Sequence, residues 1–145
     1  MRKNVTLSDV SGVDDLWIDQ DGWINIVDYK ATSKRGEVSL DADWQIGYKR
    51  QMEIYQWLFR NNGFKVSDTG YFVYCNGNAD AATFGEQLTF NVKVIPYFGN
   101  DIWVEEVLHK TKTILDSDIL PSSADGCDYC RYRREINKIA NGVET

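Results

Sequence analysis

Residues 12–30 read GVDDLWIDQDGWINIVDYK, and this stretch decides the fold. Two runs within it, 14–20 and 23–30, are rich in β-branched and aromatic residues and are typical of β-strands. Asp21-Gly22 lies between them, and this dipeptide is a strong signal for a two-residue hairpin turn. The stretch therefore predicts an antiparallel β-hairpin.

The predicted turn also determines which side chains share a face of the hairpin. With a two-residue loop at Asp21-Gly22, Asp15 lies opposite Asp28, and opposite Cβ atoms are about 4.5–5.5 Å apart. Lys30 follows Asp28 by two residues and projects from the same face. This register predicts that Asp15, Asp28 and Lys30 converge, and it turns Asp14, the nearest competitor for the role of Asp15, to the other face.

This set of side chains fits the hydrolysis of a phosphodiester. Two carboxylates can hold Mg²⁺, a hard cation that takes oxygen ligands. The ion polarises a phosphoryl oxygen and acidifies a water, and a nearby lysine orients that water or stabilises the developing charge. A simpler interpretation stays open, in which Asp15 and Asp28 are solvated carboxylates at a hairpin end and Lys30 is their ion-pair partner.

The order of elements predicts an α/β core with mixed strand directions. Asp43 is expected to cap a helix over 44–62, and Gly63 suits the position after its C-terminal cap. The remaining predicted elements are strands at 66–75 and 86–95, a helix at 100–115 and a short basic helix near the C-terminus.

The composition limits the class of protein. With 145 residues and 43% hydrophobic content, the chain is expected to fold as a single domain spanning 1–145. A net charge of −6 argues against a protein that holds nucleic acid by charge alone, yet it is compatible with a carboxylate metal site. An odd cysteine count and an N-terminus without an apolar run predict a cytoplasmic setting.

Three motifs in residues 12–55 resemble those of one enzyme family. Gly12-Val13-Asp14-Asp15-Leu16-Trp17 and Ile26-Val27-Asp28-Tyr29-Lys30 resemble the G-x-x-D-x-Φ … Φ-Φ-D-Y-K pattern of RecB-like PD-(D/E)XK nucleases, a branch with phage and CRISPR-associated exonucleases. Gln51-Met52-Glu53-Ile54-Tyr55 resembles the Q-x-x-x-Y helix motif of the same family. The resemblance implies a restriction-endonuclease-like fold, with a mixed central sheet of about four strands flanked by helices.

The resemblance also implies roles for individual residues. Asp15 and Asp28 would bind Mg²⁺ or Mn²⁺ together with the backbone carbonyl of Tyr29, and Lys30 would be the catalytic lysine. Gln51 and Tyr55 would support the site on the substrate side. The implied activity is a metal-dependent deoxyribonuclease acting on DNA ends or single strands.

Two features depart from the family pattern. The family usually has a helix before the hairpin, whereas eleven residues precede Gly12, so we expect the chain to lack this helix or to be a fragment of a longer protein. Cys127 and Cys130 resemble part of the four-cysteine set of iron–sulfur members. Because Ile136 stands where the last cysteine is expected, we predict no iron–sulfur cluster in this chain.

The sequence thus predicts a DNA nuclease of repair or recombination. The alternative is a non-catalytic nucleic-acid-binding or protein-interaction module on a nuclease fold. A homo-oligomer, or a larger nuclease–helicase or recombination complex, is the expected assembly. The candidate phosphate contacts are basic residues of the predicted loop 31–42 and of the C-terminal helix: Lys34, Arg35, Arg131, Arg133 and Arg134.

Overall fold

The computed structural model describes residues 12–80, 86 and 88–142. By its internal contacts the chain divides into two compact units, Met1–Val104 and Glu105–Thr145. The expected lack of a helix before the hairpin concerns residues 1–11, which lie outside the described part. A single nuclease-like domain over 1–145 stays a prediction.

The first unit contains a four-stranded mixed sheet in the order β1-β2-β3-β4. Its strands are β1 (Asp15–Ile18), β2 (Ile24–Thr32), β3 (Thr69–Gly77) and β4 (Phe90–Phe98). β1 pairs with β2 and β3 pairs with β4 in antiparallel fashion, whereas β2 and β3 are parallel. The predicted α/β class and the mixed sheet of about four strands are confirmed.

Helix α1 (Ile46–Asn61) connects the parallel strands β2 and β3 and follows a 3₁₀ turn at Asp43–Gln45. The predicted cap at Asp43 is wrong, because Ala42 and Gln45 occupy the two N-cap positions. The side chain of Gln45 instead accepts the N–H of Ala42 at 2.9 Å. Gly63 directly follows the C-cap residue and has a φ of 86°, which confirms the prediction that it occupies the position after the cap.

The core lies between α1 and one face of the sheet. Ile26 and Phe72 are fully buried on β2 and β3, and Met52 and Tyr55 meet them from the helix. A Cβ atom on Gly70 would lie 2.4 Å from the Sδ atom of Met52. Glycine at this position therefore allows α1 to approach β3 closely.

Glu53 provides a second connection between α1 and the sheet. Its Oε1 atom accepts the hydroxyl of Tyr97 at 2.7 Å and the N–H of Asn100 at 3.0 Å. Its Oε2 atom accepts the indole N–H of Trp103 at 2.7 Å. Three donors from β4 and the segment after it therefore satisfy a buried carboxylate.

The turn of the hairpin differs from the prediction. The N–H of Asp19 donates to the carbonyl of Trp23 at 3.0 Å, so the loop between them has three residues rather than two. Gly22, the last of them, adopts a φ of 77°. The carboxylate of Asp19 also accepts the N–H groups of Asp21 and Trp23 at 3.0 and 2.8 Å. These side-chain bonds stabilise the longer loop, a type known for hairpins with a left-handed glycine.

The extra loop residue moves the whole hairpin register by one. Asp15 pairs with Val27 and Leu16 pairs with Ile26. The predicted pairing of Asp15 with Asp28 is therefore wrong. Because side chains alternate between the faces of a strand, a slip of one residue exchanges the faces of every side chain.

The second unit contains most of α2 (Val104–Leu115), whose first residue belongs to the first unit, and all of α3 (Asp128–Ala140). Cys127 is the N-cap residue of α3. In the described part of the chain, no helix has the length and apolarity needed to cross a membrane.

Candidate active site

The observed register brings Asp14, not Asp15, to the face that carries Asp28. Continuing the pairs of β1 and β2 by one residue places Asp14 opposite Asp28. The Oδ2 atom of Asp14 accepts the backbone N–H of Tyr29 at 2.8 Å, which holds the carboxylate beside β2. Asp14 and Asp28 therefore form the carboxylate pair at the end of the hairpin.

Asp15 lies on the opposite face, where local donors surround it. Its carboxylate accepts the hydroxyl of Tyr29 at 2.8 Å, the N–H of Leu16 at 2.8 Å and the indole N–H of Trp17 at 3.2 Å. These bonds, that of Tyr29 first, lower the pKa of Asp15. The expectation that Asp15 shares a face with Asp28 and Lys30 is thus wrong.

Asp28 is buried at the base of the site. Its Oδ2 atom lies 2.6 Å from the Nζ atom of Lys30, which makes this a short, charge-assisted ion pair. Burial raises the pKa of Asp28, the charge of Lys30 opposes this, and the neighbouring Asp14 raises the pKa further. A buried carboxylate with a second carboxylate beside it is costly unless positive charge compensates it, and Lys30 supplies one such charge.

Lys30 is held between Asp28 and helix α1. Its Nζ atom lies 3.5 Å from the Oε1 atom of Gln51 and 4.3 Å from the centre of the Tyr48 ring. Tyr48 was not among the site residues predicted from the sequence. The signal for its position is the helical spacing, since Tyr48 precedes Gln51 by three residues and so shares its face of α1.

Gln51 and Tyr55 extend this cluster along the helix. The amide of Gln51 donates to the hydroxyl of Tyr55 at 3.0 Å, and that hydroxyl lies 3.5 Å from the carbonyl of Gly12. Lys30, Gln51 and Tyr55, which the sequence assigned to one site, are therefore brought together. The pair connects α1 to the chain just before β1.

The oxygen atoms at the hairpin end fit a hard divalent cation. The backbone N–H of Tyr29 points to Asp14, and because N–H and C=O of a strand residue face the same edge, its carbonyl does too. Carboxylates of Asp14 and Asp28 with this carbonyl form a set that Mg²⁺ or Mn²⁺ accepts, with waters in the other positions. Within the described residues, no three His, Cys, Asp or Glu side chains converge on one point, so the set depends on the carbonyl.

Two of the predicted phosphate contacts lie in the loop that follows β2. Lys34 and Arg35 are exposed. Arg35 forms an ion pair with Asp80 at 3.0 Å. Their role in holding phosphates stays a prediction.

The other predicted contacts lie in the second unit, on α3. Arg131, Arg133 and Arg134 are exposed in its first two turns. Cys127 and Cys130 are free thiols at the start of this helix, and the backbone N–H of Cys130 lowers the pKa of Cys127. These two thiols provide half of a four-ligand set.

The comparisons with known proteins identify a family for the chain. Residues 5–134 match the family model of the PD-(D/E)XK nuclease superfamily, which spans the hairpin, α1 and the start of α3. Neither the curated proteins nor the solved structures give a significant match. Because this match covers most of its length, the chain belongs to the PD-(D/E)XK nuclease superfamily.

Proposed function

We propose that this chain is a metal-dependent nuclease that hydrolyses phosphodiester bonds of DNA. The observation that supports this most directly is the buried Asp28, ion-paired with Lys30 and placed beside Asp14 at the end of the hairpin. Membership of a nuclease superfamily supports the same reaction.

In this proposal Asp14 takes the role that the resemblance gave to Asp15. Asp14, Asp28 and the carbonyl of Tyr29 hold Mg²⁺ or Mn²⁺. When bound, the cation supplies a Lewis acid and lowers the pKa of water at the site. Its charge would also offset the repulsion between the buried carboxylate of Asp28 and the exposed one of Asp14.

Lys30 carries the positive charge that faces the reacting phosphate. Its ammonium orients the attacking water and stabilises the negative charge that develops on the phosphate oxygens. Gln51 and Tyr48 keep the Lys30 side chain in place, since they contact its Nζ atom from α1. Tyr55 positions Gln51 through the bond between its hydroxyl and the Gln51 amide.

The finer assignments rest on the motif pattern of residues 12–55. We propose the RecB-like branch, an exonuclease that acts on DNA ends or single strands, and a cytoplasmic role in repair or recombination. A homo-oligomer or a larger nuclease complex is the proposed assembly.

The test compares wild type with Lys30→Ala on linear DNA in the presence of Mg²⁺ or Mn²⁺. We expect the variant to lose at least about 100-fold in rate, because transition-state stabilisation by one such group has this order. Chelation with EDTA should abolish the wild-type activity. Lys110→Ala, which changes an exposed lysine of α2 paired with Glu106, is the matched control and should keep full activity.

Equal degradation by wild type and Lys30→Ala would contradict the proposal. DNA binding without hydrolysis in any of these proteins would favour a non-catalytic binding module instead.

A further inference from the structure

One row of side chains on α1 runs from the core to the solvent past the candidate site. It consists of Tyr55, Gln51, Tyr48 and, in the preceding 3₁₀ turn, Trp44, at spacings of three and four residues. Tyr55 is 5% exposed, whereas Trp44 is 67% exposed. Lys30 contacts the middle of this row, so the row leads from the reacting centre to an open indole ring.

Two ring contacts connect Trp44 to the catalytic lysine. The rings of Trp44 and Tyr48 have centres 5.4 Å apart at an interplanar angle of 82°, an edge-to-face arrangement. The other contact is that of the Tyr48 ring with the Nζ atom of Lys30, at 4.3 Å. Because an edge-to-face contact covers at most one face of the indole, at least one broad face of Trp44 stays open.

The turn that carries Trp44 is firmly anchored. The neighbouring Gln45 is buried, and its amide donates to the carbonyl of Ser39 at 2.7 Å and to the hydroxyl of Tyr74 at 3.2 Å. The same side chain accepts the N–H of Ala42 at 2.9 Å. An exposed indole on an anchored turn loses little conformational entropy when a flat ligand stacks on it.

We propose that Trp44 is a stacking platform for an unpaired nucleobase of the substrate. This inference rests on the proposed function, because the base belongs to a nucleotide next to the phosphate that Lys30 faces. Bases inside a duplex already stack on their neighbours on both sides. Stacking on Trp44 therefore selects a nucleic acid that is single-stranded or frayed at this point.

The charges around Trp44 favour a single strand over a duplex. Asp41 and Asp43 are both exposed beside it. Their carboxylates repel phosphates, and a duplex carries about twice the phosphate charge of a single strand over the same length. Contact through the uncharged face of a base avoids this repulsion.

The test measures binding of a short single-stranded DNA in the Asp28→Asn background, so that the DNA stays intact. Trp44→Ala should raise the Kd roughly 5- to 100-fold, the factor that corresponds to base–aromatic stacking. Trp44→Phe should recover part of this loss, because phenylalanine retains a smaller aromatic face. A strand of the same length whose residues are abasic should bind Trp44→Ala and its parent equally.

Trp23 offers a matched control for the loss of an exposed indole. It is 40% exposed and directly follows the hairpin loop, at the opposite end of β2 from Lys30. Trp23→Ala should leave the Kd for the single strand unchanged. Circular dichroism of each variant checks that its fold is intact.

An unchanged Kd in Trp44→Ala would overturn the stacking proposal, and so would an equal rise on the abasic strand or in Trp23→Ala. These results leave the proposed function standing if Lys30→Ala still abolishes cleavage. Cleavage that persists unchanged in Lys30→Ala overturns the nuclease site itself, whatever Trp44 does.

Discussion

Glu53 and Asp28 are both buried carboxylates in the first unit, with 8% and 6% of their surface exposed, but their surroundings differ. Glu53 accepts three hydrogen bonds from Tyr97, Asn100 and Trp103. Asp28 is ion-paired with Lys30 and lies beside a second carboxylate, that of Asp14, and burial raises its pKa. The first environment satisfies its carboxylate fully within the fold, whereas the second is the one to which the proposed function assigns a cation and a substrate.

Helix α1 contributes to both environments through different faces. Residues 51 and 53 are two positions apart, which rotates their side chains by about 200° around the helix. Gln51 therefore faces Lys30 while Glu53 faces β4. The helix can hold the site firmly because its other side is attached to the sheet by a satisfied carboxylate.

The largest expected effect separates Asp14 from Asp15. Asp14→Asn should reduce nuclease activity at least about 100-fold. Changing a residue that only supports a metal ligand typically lowers activity about 10–100-fold, and removing a proposed ligand itself should lower it further. Asp15→Asn should stay close to wild type, since the bonds of its carboxylate within the described residues are to Leu16, Trp17 and Tyr29, away from Asp28 and Lys30. Initial rates on linear DNA at saturating Mg²⁺ measure both.

The reverse result, with Asp15→Asn inactive and Asp14→Asn active, would restore the two-residue turn and its register. Binding of Mn²⁺ by calorimetry provides an independent readout, because Asp14→Asn should weaken it and Asp15→Asn should not.

These variants also show how far the sequence could predict the site. The hairpin and the shared face of Asp28 and Lys30 follow from local signals, namely strand alternation and the Asp21-Gly22 turn. Gln51 was assigned to the site only by its resemblance to the Q-x-x-x-Y motif. The register did not follow, because Asp19 binds two backbone N–H groups and adds a residue to the loop. A single side chain of the turn therefore decided which of two adjacent aspartates reaches the site.

The role of Glu53 could not be predicted for a different reason. Its three donors come from residues 44–50 positions later in the chain, so no local pattern connects them to α1. The motif Gln51–Tyr55 indicated a helix face for function but not the anchoring role of the residue between them. Long-range contacts of this kind appear only when the sheet is assembled.

The next effect tests the difference between the two carboxylates through stability. Glu53→Ala should lower the free energy of unfolding by about 3 kcal/mol, because it leaves the donors of Tyr97, Asn100 and Trp103 without their acceptor. Asp28→Asn should change it by less than about 1 kcal/mol, since it removes a charge that burial already disfavours. Urea unfolding followed by circular dichroism gives both values.

A loss of stability in Asp28→Asn as large as that in Glu53→Ala would contradict this comparison. The Asp28 charge would then support the fold as strongly as it supports the site, and the distinction between the two environments would fail.

The smallest expected effect concerns the partner of Glu53 and its pH dependence. Burial and the hydrogen bond to Glu53 raise the pKa of Tyr97 to about 12. Tyr97→Phe should cost about 1.5 kcal/mol at neutral pH, because the hydroxyl donates to a charged acceptor. Its measurement is urea unfolding of wild type and variant side by side.

This stabilisation should disappear at high pH in a defined direction. The pKa of a tyrosine in the unfolded chain is about 10, the value of a free side chain. In the folded protein the pKa of Tyr97 is about 12, so its hydroxyl keeps the proton to higher pH. The folded state then binds more protons than the unfolded state, so stability falls as pH rises through this interval.

The advantage of wild type over Tyr97→Phe in free energy of unfolding is therefore complete below pH 10 and is lost toward pH 12. The difference between wild type and Tyr97→Phe at each pH is the quantity that reports on Tyr97. If the stability difference between wild type and Tyr97→Phe stays constant to pH 12, the bond to Glu53 does not hold the proton on the Tyr97 hydroxyl. Glu53 would then be a weaker anchor than its three hydrogen bonds indicate.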